Sequence, residues 1–290
     1  MTGQLVATNG IELWAELQGN GRMTVLLLGG ADASMDRWPE SFVTELLDRE
    51  YSVLRVEHRD SGRSTKISPD EPYRLEDMAL DVVGVLDAFG ITHAVDVVGY
   101  SMGGAIAQLL ALDYASRVRS LTLIATTPGL GDDRLPFAAD WFVDKMSERL
   151  FAPPSRTFDD RVEWTVDLYR MLAGSRFPFD EARQRALAAA EVTRGWYPES
   201  GHGIASNASR SRLDRLHEID FSALVVHGTE DPVYAVEHAE ALARELPDAE
   251  LRVIDGLGHE IPEAFGAELA VMVAHHLDPP ERPARPEGSN

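Results

Sequence analysis

Short apolar runs alternate with amphipathic stretches along most of the chain. On either side of Thr8-Asn9-Gly10, residues 5–7 and 11–14 alternate between apolar and polar side chains, which predicts a β-hairpin. Residues 23–28 then form an apolar run that ends at Gly29-Gly30, as is typical of a strand buried on both faces. The chain therefore opens with a hairpin and continues into the interior of a sheet.

Helical patterns separate the later apolar runs. In residues 75–89 the apolar side chains recur three and four positions apart and lead to Gly90, which predicts a helix. The same reasoning predicts strands at 52–56, 118–124, 223–227 and 250–254, and helices at 39–49, 236–246 and 264–277. Strands that alternate with helices at this spacing predict an α/β fold, with a mostly parallel central sheet covered by helices on both faces.

Residues 129–216 interrupt this alternation. They contain no pattern of a buried strand. Their pattern predicts several helices separated by Pro153-Pro154, Gly174 and Gly195. They also hold 11 of the 22 aromatic residues, which form either the core of a small lobe or an apolar pocket over a site. We therefore predict a core made of residues 1–128 and 217–277, an inserted helical cap at 129–216, and a Pro-rich, disordered tail at 278–290.

Composition and charge exclude several classes of function. The formal net charge of −21 argues against a nucleic-acid partner, because such proteins need a cationic face. No segment approaches the roughly 20 apolar residues of a membrane span, and the first residues lack the pattern of a secretory signal. The absence of cysteine excludes disulfides and thiolate nucleophiles. We expect a cytoplasmic protein that acts on a small molecule.

The histidines other than His259 show no spacing that is typical of metal ligands, so neither a metal nor another cofactor is predicted. His227 ends a predicted buried strand and is expected to be a core residue with its hydrogen bonds satisfied. His202 lies between two glycines in the aromatic region, and we expect it on a surface loop, with substrate contact as the alternative.

Candidate chemistry is concentrated at Gly99-Tyr100-Ser101-Met102-Gly103. A β-branched run enters this segment and a helical pattern at 105–110 leaves it, which is the strand, turn and helix context of a nucleophile elbow. Glycines are needed there because the turn brings backbone against backbone, where a Cβ atom would clash. We therefore predict that Ser101 is a nucleophile.

A serine hydroxyl needs a base within hydrogen-bond reach, and that base needs a third group to orient it. Asp231 follows the strand predicted at 223–227, and His259 follows the strand that ends at Ile254. This is the chain order Ser, Asp, His on successive strand ends. Glu230 is the weaker candidate for the acid, and Asp255 follows the wrong strand. The alternative for Asp231 is a helix N-cap ahead of residues 233–246.

An acyl-transfer site also needs amide donors for the oxyanion. The amide of Met102 at the start of the helix is one predicted donor. The second amide donor is expected from the loop after the strand at 23–28, where Gly30 and Ala31 are the candidates. The alternative is that the paired glycines only allow a tight turn.

Together these residues resemble the α/β-hydrolase superfamily over roughly residues 10–277. Within it, three features resemble the aclacinomycin methylesterase group: Gly29-Gly30, the His-Arg-Asp-x-Gly-Arg-Ser-Thr run at 58–65, and Phe177-Pro178-Phe179-Asp180. The resemblance implies a helical cap and a Ser-Asp-His triad that hydrolyses a methyl ester on a bulky aromatic aglycone. The superfamily resemblance also implies that the loop at 57–64 supports the site rather than reacting. A serine at the elbow disfavours the dehalogenases and epoxide hydrolases of this fold, which need aspartate.

The sequence thus predicts a serine hydrolase that cleaves a hydrophobic carboxylic ester, with substrate contacts at Trp38, Tyr100, Trp141 and Phe142. Two alternatives stay open. The same triad would serve a lactone, a thioester or a C–C bond next to a ketone, and a relative with an idle triad would only bind a ligand.

Overall fold

The computed structural model describes residues 3–21, 23–152 and 157–278. The predicted break at Pro153-Pro154 and the predicted tail from residue 279 onward lie outside the described residues. At the centre of the described part is an eight-stranded sheet. Its strands are β1 (Gln4–Thr8), β2 (Ile11–Gln18), β3 (Thr24–Leu28), β4 (Ser52–Val56), β5 (Val95–Tyr100), β6 (Val118–Ile124), β7 (Ala223–Gly228) and β8 (Ala249–Ile254).

The sheet begins with the predicted hairpin and then becomes parallel. Asn9 and Gly10 both adopt positive φ angles, 45° and 79°, which a two-residue hairpin turn requires. Strand β2 pairs antiparallel with β1 and β4, and all other neighbours pair parallel. The strand order is β1-β2-β4-β3-β5-β6-β7-β8. In the parallel part, the carboxyl ends of β3, β5, β6, β7 and β8 therefore lie along one edge.

Helices cover both faces of this sheet. The α-helices of the described residues are α1 (Glu40–Asp48), α2 (Leu75–Ala88), α3 (Met102–Asp113), α4 (Asp140–Phe151), α5 (Phe158–Leu172), α6 (Glu181–Gly195), α7 (His202–Ala208), α8 (Val236–Glu245) and α9 (Glu263–Leu277). Of these, α2, α3 and α8 lie on one face of the sheet and α1 and α9 on the other. Alternate side chains of β3 enter two separate apolar clusters. Leu26 and Leu28 pack in the cluster with α2, α3 and α8, whereas Val25 and Leu27 pack in the cluster with α1 and α9. This two-sided burial is why β3 is apolar without alternation.

The predicted fold class is confirmed. Most predicted elements agree with the observed ones within a residue or two at each end, but β2 extends to Gln18, four residues beyond the predicted 11–14. Helices α4 to α7 all lie between β6 and β7, and we call them the helical insert. A small apolar cluster of its own, centred on Val162, Val166 and Ala188, joins α5 to α6. The division into a core and a separate cap stays a prediction. No helix among the described residues is long and apolar enough to cross a membrane.

Candidate active site

The turn after β5 holds Ser101 in a strained backbone conformation. Its φ and ψ angles are 53° and −119°, a region that residues other than glycine rarely adopt. Two hydrogen bonds maintain this conformation: the amide of Ser101 donates to the carbonyl oxygen of Ile124 at 2.9 Å, and the hydroxyl of Thr126 donates to the carbonyl oxygen of Ser101 at 2.7 Å. Strand β6 therefore fixes the turn that presents the serine.

The glycines on either side of Ser101 are required by close packing. A Cβ atom on Gly99 would lie 2.5 Å from the carbonyl oxygen of Gly103, and one on Gly103 would lie 2.1 Å from the carbonyl oxygen of Leu28. Neither distance is tolerable between real atoms, so any side chain would push α3 away from the sheet. The elbow geometry that the sequence predicts is thus present.

Three predicted residues meet at the carboxyl edge of the sheet. The hydroxyl of Ser101 lies 3.0 Å from Nε2 of His259, and Nδ1 of His259 lies 2.7 Å from Oδ2 of Asp231. Because the Asp231 carboxylate only accepts, Nδ1 carries the ring proton and Nε2 is free to accept from the serine hydroxyl. His259 and Asp231 are both buried. These distances are the ones that a nucleophile, a base and an orienting carboxylate require, and the catalytic roles of the three residues stay a prediction.

The second oxygen of Asp231 is held by its own loop. Oδ1 accepts hydrogen bonds from the amides of Val233 at 2.8 Å and Tyr234 at 3.0 Å. Burial acts to raise the pKa of Asp231, but the charge and hydrogen bond of His259 outweigh it, so the pKa lies below its ordinary value. The alternative of a helix N-cap does not hold for α8, whose N-cap residue is Ala235.

Glu230, the weaker candidate for the acid, forms hydrogen bonds with a different residue. Its carboxylate accepts hydrogen bonds from the amide and the hydroxyl of Ser175, both at 2.7 Å. His227 is buried as expected, and its Nε2 donates to the carbonyl oxygen of Tyr234 at 2.8 Å. Its Nδ1, in contrast to the expectation, has no hydrogen-bond partner among the described residues.

The predicted oxyanion donors lie beside the serine. Met102 is the first residue of α3, so its amide has no partner within the helix. Gly30 approaches from the other side: a Cβ atom built on it would lie 3.4 Å from Cβ of Ser101. The neighbouring loop is held by His58, whose pKa burial lowers to about 3 and which forms a hydrogen bond with the backbone of Gly29. The role of Gly30, Ala31 and Met102 as donors stays a prediction.

Comparison with known proteins identifies the family to which this chain belongs. The pattern of the alpha/beta hydrolase fold matches residues 24–263, which is most of the chain. The chain belongs to the α/β hydrolase family. Among curated proteins, rhodomycin D methylesterase DnrP of Streptomyces peucetius is 30% identical and rhodomycin D methylesterase DauP of Streptomyces sp. strain C5 is 31% identical. Each alignment covers 95% of this chain and 98% of the relative. The predicted resemblance to this methylesterase group is confirmed.

Solved structures agree with the fold. The esterase from Exiguobacterium antarcticum superposes with a TM-score of 0.80 at 23% identity, over 95% of this chain and 99% of that one. The N-acyl homoserine lactone degrading enzyme Est816 superposes with a TM-score of 0.74 at 25% identity, over 93% of this chain and 99% of that one. An α/β hydrolase with this sheet carries its ligand sites outside the carboxyl ends of the strands.

Two cavities lie near the carboxyl edge of the sheet, and the smaller one is lined by Tyr100 of the Ser101 turn. We call the smaller one, of about 20 Å³ and lined in part by Gly30, Trp38 and Tyr100, the inner cavity. The larger one, of about 350 Å³, lies between the insert and the loop after β3 and is lined in part by Trp164 and Trp196; we call it the insert cavity.

The predicted substrate contacts fall into two groups. Trp38 and Tyr100 line the inner cavity, with their rings 6.4 Å apart in an edge-on arrangement. Trp141 is half exposed and lines an open groove that also contains Asp231. Phe142 is buried against Trp141 and lines none of the described cavities. The aromatic residues of the insert cavity were therefore not among the four predicted positions.

His202 corrects an expectation of the sequence. It is fully buried rather than on a surface loop. Its Nε2 lies 2.7 Å from the carbonyl oxygen of Arg59, and its Nδ1 lies 2.9 Å from the amide of Asp32. Because Nε2 must donate to the carbonyl, Nδ1 accepts from the amide. A residue 170 positions away thus holds the loop that contains Gly30 and Ala31, and no local sequence pattern signals this contact.

Contacts of the 57–64 loop tie it to the insert, and its role in supporting the site stays a prediction. Glu57, the first residue of this loop, is fully buried and forms an ion pair with Arg194 of the insert. The amide of Arg63 also donates to Glu57, at 2.8 Å. Among the described residues, no group of three or more His, Asp or Glu side chains is arranged to hold a metal ion.

A buried polar cluster lies on the other side of His259. Glu260 accepts a hydrogen bond from the side-chain amide of Gln184, and Arg37 donates to the side-chain oxygen of Gln184 at 2.6 Å. Arg37 also pairs with Glu191 and lies 3.5 Å from the ring centroid of Tyr169. Burial raises the pKa of Glu260 to about 7, although Arg37 and Gln184 act to lower it. Sequence reasoning missed this cluster because its members lie far apart in the chain.

Proposed function

We propose that the protein is a serine esterase that cleaves a methyl ester on a bulky aromatic substrate through an acyl-enzyme. The observation that carries the proposal is the continuous contact from Ser101 to His259 to Asp231, at 3.0 Å and 2.7 Å. The similarity to two rhodomycin D methylesterases over nearly the whole chain supports an ester as the substrate.

In the first half of the reaction, the oxygen of Ser101 attacks the ester carbonyl carbon while its proton moves to Nε2 of His259. The imidazolium that forms is stabilised by the carboxylate of Asp231. Negative charge develops on the carbonyl oxygen, where the amides of Met102 and of Gly30 or Ala31 would donate hydrogen bonds. Each such donor is worth roughly 3–4 kcal/mol in other hydrolases.

The tetrahedral intermediate then expels the alkoxide, which takes the proton from His259 and leaves as methanol. Water completes the cycle: it gives a proton to Nε2 of His259 as its oxygen attacks the acyl carbon. Collapse of the second intermediate returns the proton to Ser101 and releases the carboxylic acid. Atoms and protons balance without any cofactor.

The aromatic part of the substrate would lie under the helical insert, which acts as the cap. The insert cavity of about 350 Å³ is lined by Trp164 and Trp196, whose flat rings suit a polycyclic group. Tyr169 lines both the insert cavity and the inner cavity, so the two spaces adjoin at this residue.

The test is hydrolysis of p-nitrophenyl acetate and of a polycyclic aromatic methyl ester by the wild type and by Ser101→Ala. We expect turnover of both esters by the wild type and a loss of at least roughly 10³-fold in the variant. Labelling of Ser101 by a fluorophosphonate provides a second readout. A wild-type protein that neither turns over any ester nor becomes labelled would contradict the proposal.

A lactone is the second candidate substrate. Est816, a structural neighbour at 25% identity, is described as degrading N-acyl homoserine lactones. The same triad opens a lactone by the same steps, with the alcohol still attached to the product. Comparing kcat/KM for an aromatic methyl ester and an acyl homoserine lactone of similar size decides between the two.

A further inference from the structure

The last strand of the sheet has an open edge. Strand β8 pairs in parallel with β7 and, among the described residues, has no neighbouring strand on its other side. The side chains of Glu250, Arg252 and Val253 are exposed on this strand. An open edge presents unpaired N–H and C=O groups, to which a strand of another chain can add. Strand β8 is therefore a candidate interaction surface.

The backbone groups of β8 alternate between β7 and the open edge. The carbonyl oxygens of Asp248 and Ile254 both accept hydrogen bonds from amides on the β7 side, at 2.8 Å and 3.1 Å. Since the N–H and C=O groups of successive residues in a strand point to opposite sides, those of every second residue between these two also face β7. The residues that remain present their backbone groups to the open edge. They are Ala249, Leu251 and Val253.

Strand β8 carries one exposed charge of each sign. Glu250 and Arg252 are two positions apart, so they project from the same face of the strand. They form an ion pair, and their side chains keep 51% and 57% of their accessible surface. Edge strands often carry charges that prevent pairing, and charges of a single sign would repel a second copy. The opposite signs on β8 instead allow each residue to meet its counterpart on a copy of the same strand.

Two copies of β8 fit each other in an antiparallel arrangement centred on Leu251. Leu251 then lies opposite Leu251 of the second copy, and Ala249 lies opposite Val253. All three residues have their backbone groups at the open edge, so these pairs exchange N–H···O bonds. The positions between them are non-hydrogen-bonded pairs, in which the side chains approach most closely. At these positions Glu250 lies opposite Arg252.

The charges select this register over its neighbours. A register centred on Glu250 or on Arg252 would place that residue opposite its own copy, and like charges directly opposite each other are destabilising. The register centred on Leu251 instead forms a Glu–Arg pair on each side of the symmetry axis. Its outer pairs bring Val253, which is 42% exposed, against Ala249. Backbone hydrogen bonding and charge therefore favour the same arrangement.

We propose that the protein forms a homodimer in which β8 pairs antiparallel with β8 of a second copy, centred on Leu251. The sheets of the two copies then join into one continuous sheet. The carboxyl ends of the two β8 strands lie at opposite edges of it, so the Ser101 turns of the two copies face away from each other and stay accessible. This dimer does not depend on the proposed esterase function.

Charge reversal at the interface is the first test. We expect the wild type to sediment as a dimer at roughly 10 µM. Glu250→Arg and Arg252→Glu each place like charges opposite each other at two symmetric positions, and each should weaken dimerisation roughly 100-fold. The double variant exchanges the two charges and restores both pairs, so it should dimerise like the wild type. Because both side chains are exposed, all three variants should keep the circular dichroism spectrum of the wild type.

Mixing the two single variants is a stricter test. The two positive charges of Glu250→Arg face the two negative charges of Arg252→Glu, so differently tagged chains should co-purify as a heterodimer although neither dimerises alone. The matched control is Asp48→Arg at the exposed end of α1. It changes the net charge by as much as Glu250→Arg does, but away from β8, and it should dimerise like the wild type.

Disulfide cross-linking tests the register directly. The chain contains no cysteine, so Leu251→Cys introduces a single thiol. In the proposed register the two Cα atoms at this position lie about 5.5 Å apart, within the range of about 4.4–6.8 Å that a disulfide spans. The control is Val253→Cys, whose two Cα atoms would lie roughly 13 Å apart. We expect oxidation to link the first variant into a covalent dimer and to leave the second unlinked.

Three results would overturn the proposal. They are a monomeric wild type, a dimer that neither charge reversal weakens, and cross-linking of Val253→Cys as readily as of Leu251→Cys. A folded double variant that stays monomeric would also contradict it, because the charge pairs would then not act across the interface. Sedimentation and cross-linking need no turnover, so a failure of the proposed esterase function would leave these outcomes unchanged.

Discussion

The backbone amide of His259 donates a hydrogen bond to the carbonyl oxygen of Leu172 at 2.8 Å. Leu172 is the last residue of α5, so the end of an inserted helix holds the loop that carries the proposed base. The amide of Glu260 donates to the same oxygen at 3.1 Å. The position of His259 is therefore set by the insert as well as by the sheet.

Gly258→Ala tests this contact. A Cβ atom on Gly258 would lie 2.3 Å from the carbonyl oxygen of Leu172, so the loop or α5 must move. We expect kcat to fall roughly 100-fold, because a shift of about 1 Å at a reacting group has such an effect. The control Gly203→Ala adds a methyl group to α7 where no atom beyond the adjacent residues and the helix's own backbone lies within 4 Å, and it should leave activity unchanged. Equal activity of the two variants would contradict the proposed role of the contact.

Asp231→Asn tests the orienting carboxylate. An amide at this position favours the wrong tautomer of His259, since it would donate to Nδ1 instead of accepting from it. We expect kcat to fall roughly 10⁴-fold with little change in KM. Glu230→Gln changes the adjacent carboxylate, which binds Ser175 instead, and should stay close to the wild type. If Glu230→Gln were the more damaging substitution, the acid would have been assigned to the wrong residue.

His202→Gln tests the support of the oxyanion loop. The glutamine loses the acceptor that binds the Asp32 amide at 2.9 Å, whereas His202→Asn keeps an acceptor near the position of Nδ1. We expect kcat for p-nitrophenyl acetate to fall roughly 10-fold in the glutamine variant and less in the asparagine variant. Similar circular dichroism spectra would establish that both variants are folded. The opposite order of the two activities would argue against this hydrogen bond as the cause.

The pKa of Glu260 predicts how stability depends on pH. Burial raises this pKa from 4.5 to about 7, so the folded state binds the proton more tightly than the unfolded state. The contribution of Glu260 to stability is then largest below about pH 4.5 and is lost as the pH rises to about 7. The glutamine of Glu260→Gln does not titrate, so its contribution to stability does not change over this pH range. Relative to the wild type, we expect the free energy of unfolding of this variant to be about 3 kcal/mol higher at pH 8 than at pH 4.5, that is, the variant gains relative stability as the pH rises.

Urea unfolding at the two pH values measures this difference. Glu245→Gln, at the end of α8 on the opposite face of the sheet from α9, controls for the loss of one carboxylate from an acidic protein. A relative stability of Glu260→Gln that is the same at both pH values would show that the buried carboxyl does not titrate in this range.

The local pattern of the sequence was sufficient to predict the helices and strands of the sheet and their order along the chain. The alternation around Asn9-Gly10 predicted the hairpin, and the apolar run at 23–28 predicted a strand buried on both faces, which β3 is. These features depend on side-chain periodicity and on turn chemistry, both of which act over a few residues. The same is true of the elbow, whose glycines are required by contacts within and next to the turn.

The candidate site was predictable as far as it depends on strand ends. Asp231 and His259 follow neighbouring parallel strands, so their approach to Ser101 follows from sheet topology. The lining of the insert cavity was not predictable. Trp141, expected to contact substrate, is half exposed beside an open groove, while Trp164 and Trp196 line the cavity. Which face of an inserted helix points inward depends on how that helix packs.

By itself, therefore, the sequence determined the α/β architecture, the strained serine turn and the chain order of the three residues that meet there. Only the tertiary structure decided that His202 is buried and binds the amide of Asp32, and that Leu172 holds His259. Periodicity encodes burial within one element. Contacts between segments 80 to 170 residues apart depend on the packing of the insert over the sheet, which no local pattern specifies.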